Sequence, residues 1–81
     1  MNPIFKALEK LFPESEVRSI AGIFRDNFVT YYAVAIVDNE VYVVSCGPFK
    51  ADVLHKAVDG TLKDRVSCCM AEAKRLAEAR K

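Results

Sequence analysis

The sequence predicts an α+β fold: a three-stranded antiparallel meander packed against helices, in the order α-β-β-β-α-α. Three observations carry this. Tyr31–Val37 and Glu40–Cys46 are runs of β-branched, aromatic and small apolar residues parted by Asp38-Asn39. Two-residue hairpin loops need positive φ, which Asn and Asp tolerate best after Gly. A second Asp-Asn step, Asp26-Asn27, precedes Phe28. Finally, the residues after Thr61 repeat their apolar positions at helical spacing.

The first element is a helix opened by Asn2-Pro3, an N-cap followed by a proline at the position that tolerates it. Ile4, Phe5, Leu8, Leu11 and Phe12 share one face, and Pro13 ends the helix by denying Phe12 helical backbone. The segment 17–25 suits helix or strand. Gly22, which weakens a helix interior by about 1 kcal/mol, and the following Asp-Asn step favour a strand. Strands over 17–25, 28–37 and 40–46 follow. If both turns are two-residue loops, Val37 faces Glu40, Ile36 faces Val41, Arg25 faces Phe28 and Phe24 faces Val29. Gly22, Ala33 and Ala35 then form a low trough that suits helix docking.

Gly47-Pro48 breaks the sheet. From Phe49 to Val58 the spacing of Val53, Leu54, Ala57 and Val58 predicts a short helix capped by Gly60. Thr61-x-x-Asp64 is a capping pattern for a longer helix, whose stripe is Leu62, Val66, Cys69, Met70, Ala73, Leu76 and Ala77.

At 81 residues the chain reads as one domain, 1–81, and its 52% hydrophobic content leaves either a dense core or apolar surface for another chain. A net charge of +1 supplies no strong field, whereas phosphate-tracking proteins carry a marked basic excess. Residues 1–46 hold four basic and six acidic side chains, and residues 47–81 hold eight and five. Three cysteines without regular spacing suit reduced thiols inside a cell. No apolar run reaches the roughly 18–20 residues a bilayer requires, so no membrane association and a cytoplasmic location are expected.

Catalytic motifs are missing. A cysteine–histidine pair would need Cys46 or Cys68 beside His55, yet His55 falls on the solvent side of the expected 49–58 helix. Zinc would need four ligands. Cys46, His55, Cys68 and Cys69 give the number without paired spacing, and Cys68 and Cys69 point about 100° apart on a helix. Gly22, Gly47 and Gly60 are isolated and cradle no phosphate. Glu14/Glu16 and Asp38/Glu40 flank turns, where solvation or capping explains them. The expectation is no enzyme, no cofactor and no metal.

The α-β-β-β-α portion, with its Ala- and Lys/Arg-rich Met70–Lys81 stretch, resembles the layout of a double-stranded-RNA-binding domain. That resemblance implies RNA or DNA binding as the alternative function, with Lys63, Arg65, Lys74 and Arg75 as polar contacts. It is confined to layout: the family's lysine-rich N-terminal turn of the last helix is here Lys63-Asp64-Arg65-Val66. Tyr31, Tyr32 and Tyr42 on the central strands could stack on bases or anchor a protein interface.

The leading expectation is a small non-catalytic domain that binds a protein partner, itself included. With the final helix and one other helix assigned to the Gly22/Ala33/Ala35 face, the opposite face, with Tyr32, Val34, Ile36, Val41 and Val43, is the expected interface. The edge of Val41–Cys46 offers a second route to a two-fold homodimer. A compact, motif-poor binding domain has the build of phage or mobile-element inhibitors of host defence complexes, anti-CRISPR proteins among them.

Overall fold

A computed structural model describes residues 3–79 and shows an α+β fold with an open four-stranded antiparallel sheet and two helices. Helix α1 is Pro3–Leu11; strands β1, β2, β3 and β4 are Arg18–Arg25, Tyr31–Val37, Glu40–Cys46 and Ala51–Ala57; helix α2 is Leu62–Ala79. The sheet order is β1-β2-β3-β4. The expected N-cap at Asn2 lies outside the described residues.

The β2–β3 hairpin forms as its turn chemistry requires. Asp38 and Asn39 take φ of 48° and 67°, and the register sets Val37 against Glu40 and Ile36 against Val41. The turn is also a knot for the rest of the chain. The Asp38 carboxylate accepts the backbone amides of Glu16 (3.1 Å) and Val17 (2.9 Å), and the Asp38 amide donates to the Val17 carbonyl. On the other side, the Arg65 guanidinium donates to the Asn39 carbonyl at 3.1 Å and lies 3.7 Å from Glu40, mooring the start of α2.

Three expectations are corrected. The first concerns the connection of β1 to β2, which is a five-residue loop, 26–30, and not a two-residue turn. Asp26 is buried there, and its Oδ1 accepts the amides of Phe28 (2.8 Å) and Thr30 (3.3 Å). That local bonding competes with a tight hairpin. Arg25 therefore faces Tyr31 and Phe24 faces Tyr32. A bulge at Ala21 shifts the register between Ile20 and Gly22, so Gly22 and Phe24 share a face with Val34 and Tyr32, away from Ala33 and Ala35.

The second correction is the segment 49–58, which is a strand and not a helix. β4 pairs with β3 from Cys46/Ala51 to Val41/Ala57 after a short loop closed by the Gly47 amide on the Lys50 carbonyl. The open backbone edge of β3 takes precedence over the helical spacing of Val53, Leu54, Ala57 and Val58. The element order is thus α-β-β-β-β-α, and Gly60, at φ 92°, serves the link to α2 rather than a helix end.

The third correction is the placement of the helices. They lie on opposite faces, making three layers. Ile4, Ala7 and Leu8 of α1 pack on Ala33, Ala35, Val37, Val44 and Cys46, with Phe12 against the Tyr42 ring. Ala33 and Ala35 are wholly buried in this layer, and α1 comes nearest to β3 and β4. Cys69, Ala73 and Ala77 of α2 pack on Tyr32, Val34, Val41, Val43 and Ala57, and α2 reaches all four strands. Thr61 and Asp64 cap it reciprocally, amide to side chain in each direction.

Candidate functional site

The apolar face expected to be open is covered. Tyr32, Val34, Val41 and Val43 are buried beneath α2 and Ile36 is half-buried beside them. The β3 edge is likewise occupied, by β4. Neither the five residues nor the Val41–Cys46 edge is a free surface. The cause lies in β1 and β4: the bulge and the fourth strand left one helix for each face.

Of the two candidate thiol–imidazole pairs, Cys46 and His55 are separated by the sheet. Cys46 belongs to the α1 face, whereas His55 pairs with Val43 on the α2 face. Burial pushes the Cys46 thiol above its usual range. It does the same to Cys69, partly offset by a backbone hydrogen bond at Ala57; both thiols are thereby held in the unreactive neutral form. The Cys69 thiol packs 3.9 Å from the Val41 carbonyl. Cys68 is exposed. Among the described residues no group of His, Cys, Asp or Glu could hold a metal, and no helix is long and apolar enough to cross a membrane.

The four nominated polar residues divide. Arg65 is tied to Asn39 and Glu40, and Arg75 is held by Glu72 at 2.6 Å. Lys63 and Lys74 are exposed on α2, about 16 Å apart along the axis at 1.5 Å per residue. Of the tyrosines, Tyr32 is in the core; Tyr31 lies under Arg25 (5.5 Å) and Tyr42 under Lys56 (5.7 Å).

The exposed apolar residues lie elsewhere. Phe49 is 94% exposed, Val58 71%, and Val53, Leu54 and Leu62 each about two-fifths. Four fall on β4 or the loops at its two ends, along the free edge of the sheet, and Leu62 opens α2. Phe49 stands between two hollows. One, of about 530 Å³, lies toward Lys6 and Lys10 of α1; the other, of about 550 Å³, runs past Asp52 and Leu54 to Leu76 of α2. A smaller group, Val17, Ile23, Phe28 and Val29, lies near β1.

This surface escaped the sequence reading because 49–58 read as an amphipathic helix, whose apolar side would be buried. The available signal was the run Val53-Leu54 with Val58 and Phe49, four large apolar residues in a segment too polar at Asp52, Lys56 and Asp59 to sit in a core.

No protein-family model matches the chain, and neither does any curated protein or solved structure.

Proposed function

We propose that the chain is a non-catalytic protein-binding domain whose recognition surface is the β4 edge, with Phe49, Val53, Leu54 and Val58 as its apolar contacts. The observation that carries this is their concentration. Half of the exposed large hydrophobic residues among those described lie between Phe49 and Leu62, beside backbone groups that no other strand pairs. Exposed apolar residues gathered along one edge suit an interaction site, and an unpaired edge offers main-chain hydrogen bonds to an incoming strand.

The separation of Cys46 from His55 and the buried, neutral thiols support a non-catalytic reading. With two of the four nominated cations engaged within the chain and the remaining two far apart, a phosphate-tracking surface on α2 has little support. The small, motif-poor build suits an inhibitor of the phage or mobile-element kind, and such a partner would be a component of a host defence complex.

The test is affinity capture with the wild-type chain and with Val53→Lys/Leu54→Lys, both followed by mass spectrometry. A partner retained by the wild type and lost by the variant supports the β4 surface. Equal retention by both would refute it, once circular dichroism shows the variant folded.

A further inference from the structure

We infer that the occupant of the β4 edge is a second copy of this chain, paired antiparallel across a two-fold axis between Leu54 and His55. The inference rests on the reading of β4 as the recognition surface and adds the identity of what binds there.

Backbone direction narrows the register first. The Gly47 amide donates to the Lys50 carbonyl, so residues of β3 in step with Gly47, namely Ser45, Val43 and Val41, turn their backbone groups toward β4. Their partners Asp52, His55 and Ala57 point back at β3. The bulge at Leu54 shifts the alternation between these partners. The outward-facing backbone groups are therefore those of Ala51 and Val53 on one arm and Lys56 on the other. A copy related by a two-fold axis must match an outward residue of one arm to an outward residue of the other, odd number to even. Pairing Val53 with the second copy's Lys56 does this, and brings both bulges together at the axis, leaving regular arms on either side.

Charge points to the same register. Carried outward, it sets Ala51 against Val58 and Lys50 against Asp59, twice in each dimer. Lys50 and Asp59 are both exposed, and among the described residues the Lys50 ammonium has a 3.3 Å surface pair with Asp52 alone. The Lys56 stem would lie over Val53, covering apolar surface while its ammonium stays wet. The opposite edge is unsuited to the same arrangement. Antiparallel self-pairing of β1 about its bulge would set Arg18 against Arg25, like against like.

The experiment is sedimentation equilibrium over a range of concentrations, with amide hydrogen exchange on the same samples. A mass rising toward twice the 9.1 kDa of one chain, with concentration-dependent protection of the Val53 and Lys56 amides, is expected. Lys50→Asp alone and Asp59→Lys alone should each raise the dissociation constant several-fold, and the double swap should restore it. A chain that stays at one subunit's mass at millimolar concentration overturns the inference, as does a dimer whose Val53 and Lys56 amides exchange freely. If the chain is monomeric while Val53→Lys/Leu54→Lys still abolishes capture of another protein, the second copy is the wrong occupant and the surface reading stands. A dimer untouched by that variant overturns both.

Discussion

Leu8→Ala should be among the most damaging single changes in α1. Leu8 is fully buried at the centre of the cluster that joins α1 to Ala33, Ala35 and Val44. Removing a buried leucine side chain costs the lost transfer energy plus the cavity left behind, about 3 kcal/mol within a range of about 2–5. A chain of this length has a total stability of roughly 4–12 kcal/mol, so the loss is a large share. The helix cannot absorb it alone: its nine residues fall short of the roughly 12–15 at which isolated helices become even marginal. Undocking thus means unfolding of α1. With a urea m-value of about 1 kcal/mol/M, the unfolding midpoint should fall by roughly 3 M. Lys6→Ala, on the exposed side of the same helix, should stay within about 0.5 kcal/mol of the wild type. A Leu8→Ala midpoint equal to that of Lys6→Ala would refute the docking of α1 on this face.

Other expectations follow from the same packing. Ala33→Leu or Ala35→Leu should each cost about 1–3 kcal/mol in chemical denaturation, because both are wholly buried in the core layer that α1 closes; wild-type stability would mean the face is open. Gly22→Ala should stay within about 1 kcal/mol of the wild type in chemical denaturation, because the atoms its Cβ would meet are the flexible end of the Met70 side chain, which can swing aside while alanine lowers the entropy of the unfolded chain. Alkylation at neutral pH should label Cys68 and spare Cys46 and Cys69 until the chain unfolds. The pH dependence has a definite sign. Well below pH 9 the Cys46 and Cys69 thiols are neutral whether folded or not. Above the usual 9.0 the unfolded chain ionises first, since burial raises both folded values. Stability present below pH 9 is therefore lost as pH rises through those values, and Cys46→Ala/Cys69→Ala should flatten that decline.

The β2–β3 hairpin was legible to the residue because positive φ is demanded at two adjacent positions and Asp38-Asn39 meets the demand. The capping box at Thr61 and Asp64 was legible for a similar reason, being local chemistry between residues three apart. Asp26-Asn27 shows the limit. It is the same dipeptide type, but Asp26 turns inward to accept two amides, and nothing in the dipeptide reveals that. Bulges were the larger obstacle. At Ala21 one swaps the faces of half a strand. At Leu54 another breaks the two-residue alternation of β4 and leaves Val53, Leu54, Ala57 and Val58 at spacings that imitate a helix. Because the proposed recognition surface lies on β4, misreading that strand hid it.

The order in which the layers are added has a cost during synthesis. One lid of the sheet, α1, precedes the strands in the chain, but the other, α2, follows all of them. A ribosome that has released β4 has exposed a bare sheet bearing Tyr32, Val34, Val41 and Val43, and that surface stays sticky until the last 18-residue helix emerges. A chain truncated at Gly60 should accordingly recruit chaperones or clump, whereas one that extends through Ala79 should not.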